Sequence, residues 1–192
     1  MWSLVWTTTE HKDVFMPIVT LPDGSQRTFE HPISIMALAK SIGPGLAKAC
    51  IAGKIDGVEV DAADLIEHDA EVAIITARDP EGVDIIRHSC AHLMGHAIKQ
   101  LYPAAKMAIG PVIEDGFYYD IDFGESISSE DLEQIEARMK ALIDQDYDVE
   151  REYVDKAKAL ATFVSRDEPY KQQIVEGIPD GETIRLYHHQ EY

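Results

Sequence analysis

The chain has 192 residues, 45% of them apolar, and its 35 Asp and Glu against 17 Lys and Arg give a formal net charge of -18. That is the composition of an ordinary globular chain of one domain or two small ones, and no segment approaches the ~20 uninterrupted apolar residues that span a membrane. So large an acidic excess is a poor footprint for a protein that grips nucleic acid unaided, because phosphate neutralisation supplies most non-specific affinity. Any RNA role therefore has to borrow affinity from another domain or a partner. Two cysteines, Cys50 and Cys90, make no disulfide framework, which points to a reducing cytoplasm.

Residues 1–15 lack the long apolar run of a signal peptide and read as an N-terminal extension. From Pro17 to Leu21 the pattern is a strand, Pro22-Asp23-Gly24-Ser25 a tight turn, and Gln26 to Glu30 the returning strand. Ser34 then stands as an N-cap before Ile35, Leu38, Ala39 and Ile42, and Gly43-Pro44-Gly45 stops that helix. Extended segments follow at Ala49 to Ala52, at Val58 to Val60 beyond a turn at Asp56-Gly57, and at Glu71 to Ile75. A hairpin, a crossing helix and further strands form the β-grasp, or ubiquitin-like, plan. A break falls near Ala77 to Gly82, dividing the chain into an extension (1–15), a β-grasp domain (16–77) and a second domain (78–192).

The second region opens with Asp79-Pro80-Glu81-Gly82 and a helix that Tyr102-Pro103 ends. On it His88, His92 and His96 stand four residues apart, so three imidazoles share one face. A separate row, Ile86, Cys90, Leu93, Ala97 and Leu101, predicts a core-packing stripe on roughly the opposite side. Phe117 to Phe123 alternates as a half-buried strand, and Ser128-Ser129-Glu130-Asp131 opens a helix whose apolar positions are Leu132, Ile135, Met139, Leu142 and Ile143. A strand at Val149 to Val154, helices at Asp155 to Val164 and Pro169 to Gly177, and a strand at Ile184 to His188 complete an α+β order.

A histidine pair at this spacing can supply two zinc ligands. It lacks the glutamate of H-E-x-x-H, since Ser89 and Cys90 follow His88, and Cys90 falls on the apolar stripe. His188 and His189 are adjacent on a strand and point to opposite faces, so at most one aims inward.

Four stretches, Met16-Pro-Ile-Val-Thr-Leu-Pro-Asp-Gly-Ser25, Ile42-Gly-Pro-Gly-Leu-Ala-Lys-Ala-Cys-Ile-Ala-Gly53, Arg87-His-Ser-Cys-Ala-His-Leu-Met-Gly-His-Ala97 and Ile109-Gly-Pro-Val-Ile-Glu-Asp-Gly-Phe-Tyr-Tyr-Asp120, occur in that order. Together they resemble the amino-terminal region of the bacterial threonyl-tRNA synthetases, and the likeness runs from Met16 to Tyr192. The resemblance implies a TGS domain of β-grasp fold, then an α+β editing domain with an antiparallel sheet packed on helices. In that family the editing domain hydrolyses seryl-tRNA(Thr). Serine differs from threonine by one methyl, worth about 1–3 kcal/mol of discrimination, so a second sieve is needed.

By resemblance, His88 and His92 correspond to the family's editing pair, Lys171 in Glu168-Pro-Tyr-Lys171 to its site lysine, and Tyr119 to a pocket wall. No metal is expected there and no cofactor in this chain. ATP and zinc belong to the family's catalytic core, which this chain lacks. The expected partners are the acceptor end of tRNA(Thr), bound weakly by this chain alone, and the rest of a synthetase, with no membrane and no DNA. The family continues past the strand ending at Tyr192 into a segment bearing an aspartate, a cysteine and a histidine. The chain therefore reads as a piece that ends before the editing domain does, with little or no hydrolysis of its own. The alternative is a non-catalytic TGS-type module that binds RNA, a nucleotide or a protein.

Overall fold

The computed structural model describes residues 16–190, so the extension expected over 1–15 lies outside the described residues. The fold is mixed α/β and divides into two compact units, one up to Ile85 and one from Ile86.

The first unit contains strands β1 (Ile18–Thr20), β2 (Gln26–Thr28) and β3 (Ile33–Ser34), helices α1 (Ile35–Ile42) and α2 (Pro44–Ala49), and strands β4 (Cys50–Ile55), β5 (Val58–Asp61), β6 (Leu65–Ile66) and β7 (Ala70–Thr76). Its sheet has the order β2-β1-β7-β4-β5, with β1 parallel to β7 through Val19↔Ala70 and Thr20↔Glu71. A first strand lying parallel beside the last, with a helix crossing one face, is the β-grasp arrangement expected. Ser34 caps α1 by accepting from Ala37 N–H at 3.1 Å, and Ile35 and Leu38 seal the core against Val19, Ile66 and Val72. Asp56 and Gly57 both have positive φ, 50° and 82°, the requirement of the two-residue turn joining β4 to β5.

Two local expectations change. Gly43 ends α1, but Pro44 begins α2 rather than leaving a loop, since proline at the first helical position loses no hydrogen bond. The strand expected from Ala49 accordingly begins at Cys50 and runs to Ile55.

Helix α3 (Pro80–Leu101) carries the chain into the second unit, which continues with β8 (Lys106–Met107), β9 (Val112–Ile113), β10 (Gly116–Phe117), β11 (Ile121–Asp122), α4 (Ser129–Ile143), β12 (Val149–Val154), α5 (Lys156–Ser165), α6 (Pro169–Glu176) and β13 (Ile184–His189). The single strand expected over Phe117 to Phe123 is two short ones with different partners: β10 pairs with β9, and β11 with β8. Helix α4 starts on a capping box in which Ser128 N–H donates to Asp131 at 2.7 Å while Asp131 N–H donates back to Ser128 Oγ at 3.3 Å. Strands β12 and β13 form a six-pair antiparallel ladder, Val149↔His189 to Val154↔Ile184.

The apolar row of α3 is only partly buried: Ala97 is 0% exposed, and Cys90 and Leu93 are half-buried. Ile86 and Leu101 are 45% and 37% exposed, whereas His96 is 0% exposed between buried Gly95 and Ala97. Periodicity identifies a face but not what lies opposite it. Here the histidine row is open at His88 and covered at His96, whose ring nitrogens tolerate burial because they are hydrogen-bonded. A similar correction applies to α4, where Ile135 and Leu142 are buried but Leu132 and Ile143 are open to solvent.

Candidate functional site

In the second unit a cluster of histidines surrounds the middle of α3. The Nε2 atoms of His88 and His92 are 3.0 Å apart and their ring planes meet at 76°, so one nitrogen donates and the other accepts. Burial holds the His92 imidazole well below its usual range, at about 4, with the neighbouring His88, His189 and Lys171 acting in the same direction. His92 is thus neutral at pH 7. His88 is exposed.

Beside this pair runs a partly buried polar chain, in which His96 and His189 are the buried members. The His189 ring lies nearly parallel to that of His92, at 5.8 Å and 16°. Tyr147 Oη bridges His189 Nδ1 at 3.2 Å and His96 Nδ1 at 3.1 Å, Gln100 bonds His96 Nε2 at 3.0 Å, and Arg138 Nε donates to Gln100 Oε1 at 2.5 Å. Burial, and then proximity to His96, lowers the pKa of His189. His188 turns the other way and meets Glu152 at 3.3 Å, which is the alternation a strand dictates.

Lys171 comes from α6, whose N-terminus is clamped. Glu168, 5% exposed, pairs with Lys99 at 2.6 Å and accepts Met107 N–H at 3.1 Å. Lys99 also donates to the carbonyls of Pro103 and Ala105, at 3.0 and 2.8 Å. This fixes the first turn of α6 against the β8 segment and thereby the position of Lys171. The Lys171 ammonium stands 5.8 Å from the centre of the Tyr119 ring. That ring lies against Gly110, where an added Cβ would stand 3.0 Å from Tyr119 Cγ, so a larger residue would push the ring away.

These four residues, drawn from α3, α6 and the segment before β11, line one cavity of about 330 Å³ together with Gly110, Pro111 and Ile174. His88, His92 and Lys171 also border a larger cavity of about 580 Å³, which Tyr119 does not reach. The larger cavity is lined in addition by His96, Lys99, Phe163, Arg166, Glu168, Arg185 and Tyr187. The structure therefore brings together all four residues singled out from the sequence. Among the described residues no group of three or more His, Cys, Asp and Glu has the arrangement of a metal site.

Sequence reasoning did not place Tyr147, Glu168, Arg166 or Arg185 at this site, and it gave His96 and His189 no role there. The signal for His96 was present in the four-residue spacing. Tyr147 had none, because it meets His96 on α3 across 51 residues of chain, and His189 was signalled only by the strand alternation that lets one of His188 and His189 aim inward.

Residues 17–76 match the family model of the TGS domain. That stretch is a TGS domain. It coincides with the sheet, helix and core of the first unit, and it is consistent with a module that binds a nucleotide or RNA. The histidine cavities lie outside it. No helix among the described residues is long and apolar enough to cross a membrane.

Proposed function

We propose that the second unit contributes the site at which an aminoacyl ester at the 3′ end of a tRNA is hydrolysed, and that the gene product carrying this sequence acts in post-transfer editing of seryl-tRNA(Thr) as a threonine-tRNA ligase, of which this chain is an amino-terminal part, with the TGS domain helping to engage the acceptor end. The observation that supports this best is the convergence of His88, His92, Lys171 and Tyr119 on one cavity.

Ester hydrolysis needs a positioned water, a group to receive its proton and a donor for the developing oxyanion. His92, with a pKa of about 4, is too weak a base to hold a proton at pH 7. Its role is to stay neutral and fix the His88 ring through the 3.0 Å bond. His88, at the exposed rim, takes the proton from water. The Lys171 ammonium faces the same space and supplies positive charge to the oxyanion or a hydrogen bond to the terminal ribose. Tyr119, backed by Gly110, forms the wall. The expected setting is the cytoplasm.

A second reading follows from the TGS match: a binding module that engages RNA, a nucleotide or a protein without turnover. The two are separated by measuring deacylation of seryl-tRNA(Thr) by the gene product that carries this sequence. Hydrolysis that disappears in His88→Ala supports editing, and RNA binding without hydrolysis supports the module.

A further inference from the structure

His96 is 0% exposed, and the hydrolytic chemistry above gives it no part. Its hydrogen bonds nevertheless fix an order of donors. Arg138 carries only N–H donors, so the end of Gln100 that meets Arg138 Nε at 2.5 Å is the amide oxygen. The Gln100 amide N–H therefore faces His96 Nε2 at 3.0 Å, and that nitrogen keeps its lone pair. A neutral imidazole then carries its proton on Nδ1, from which it donates to Tyr147 Oη at 3.1 Å. The tyrosine hydroxyl has one proton, which is left to donate to His189 Nδ1 at 3.2 Å. His189 in turn holds its own proton on Nε2.

No link reverses alone. Turning Gln100 over would set its N–H against the N–H of Arg138, and a proton on His96 Nε2 would meet the amide N–H of Gln100. A buried donor facing a donor is costly. A guanidinium on α4 thus sets the tautomer of an imidazole on β13 through four hydrogen bonds.

The segment bearing Tyr147 is also tied to the one bearing His189. Asp146, just before Tyr147, and Gln190, just after His189, both take left-handed backbone, at φ 46° and 56°, which few residues other than glycine adopt. Gln190 Nε2 donates to Gln145 Oε1 at 3.2 Å between these two turns, and Val149 pairs with His189 in the ladder. His189 is held between them with its ring 5.8 Å from that of His92 and 16° from parallel.

We infer that Arg138, Gln100, His96 and Tyr147 are positioning residues that hold His189 as its Nε2–H tautomer against one face of His92, and so fix the His92 ring on which His88 leans. Burial, and then proximity to His96, lowers the pKa of His189, in keeping with a ring that stays neutral there. The effect on rate rests on the hydrolytic reading above, but the donor order does not.

The test labels the histidines of the chain with a nitrogen isotope and reads long-range proton–nitrogen spectra at pH 7, which show the ring nitrogen that bears each proton. His96→Gln and His189→Gln assign the two rings. The wild type is expected to carry the His96 proton on Nδ1 and the His189 proton on Nε2, a result that needs no variant to fold differently. Tyr147→Phe removes one hydroxyl. It should turn His189 into a mixture of tautomers, shift the His92 ring resonances and leave the His96 tautomer unchanged. Arg138→Met frees Gln100 to turn and should mix the tautomers of both His96 and His189. Lys140→Gln removes a charge from the exposed face of the same helix and should change neither ring. In single-turnover deacylation of seryl-tRNA(Thr) by the gene product carrying this sequence, Tyr147→Phe should slow the step about tenfold, within the roughly 10²-fold that a misplaced catalytic group costs, at an unchanged half-saturating tRNA concentration.

The inference is overturned if wild-type His96 bears its proton on Nε2, or if Tyr147→Phe leaves the His189 tautomer and the His92 resonances as they are. It is also overturned if Arg138→Met behaves like Lys140→Gln. Should the wild type not hydrolyse the ester, the hydrolytic reading fails, and the positioning of His92 is still decided by the spectra. Deacylation that His88→Ala abolishes and Tyr147→Phe leaves unchanged keeps the enzyme and removes the positioning role.

Discussion

The pH dependence of stability follows from His92. Its imidazole is held at about 4 in the folded chain, against an ordinary value of 6.5. Between these values the unfolded chain binds a proton that the folded chain refuses, so stability rises with pH across that window. The contribution is complete above pH 6.5 and is lost as the pH falls toward 4. At about 1.4 kcal/mol per pKa unit, the loss is about 2 kcal/mol between pH 7 and pH 5 and about 3 kcal/mol below pH 4. His189, shifted the same way by burial and by His96, adds to it in the same direction. The perturbation is His92→Gln, which should flatten the dependence by that amount in urea unfolding curves recorded at pH 7 and pH 5. The His92 ring resonances in an NMR titration read the same quantity without any mutation. A His92 resonance titrating above pH 6, or wild-type stability that is flat from pH 7 to pH 5, would refute the reasoning.

Glu168→Gln leaves the Lys99 ammonium inside the unit with only the carbonyls of Pro103 and Ala105. Breaking a buried pair on one side costs about 3–5 kcal/mol, and these two acceptors bring the expectation down to about 2–3 kcal/mol, read as a lower urea midpoint. A change under about 0.5 kcal/mol, the range of ordinary surface substitutions, would mean that the clamp carries no stability. Gly110→Ala drives a methyl against Tyr119 at 3.0 Å. It should cost about 1–3 kcal/mol as an overpacking change and move the Tyr119 ring resonances, whereas unshifted resonances would mean that the ring does not rest there.

The local features of this fold were readable in the sequence. The Ser34 cap, the Asp56-Gly57 turn and the Ser128–Asp131 box each lie within a few residues of chain, and each takes the expected form. The direction of α3 was not readable, because what covers a helix face comes from elsewhere in the chain. His96 could be placed in the row with His88 and His92, but not at 0% exposure against a tyrosine 51 positions away. The charge of the chain is likewise a property of the whole. A total of -18 averages over the surface and is silent about Arg166 and Arg185, which sit 19 residues apart in sequence and line one cavity.

On the proposed reading His88 works on a tRNA ester beside a His92 that stays neutral. That reading is tested most directly by single-turnover deacylation of seryl-tRNA(Thr) by the gene product carrying this sequence, wild type beside His88→Ala. Hydrolysis is expected to fall by about 10²-fold or more without the histidine, the scale of a lost general base. Equal rates in the two proteins would contradict it.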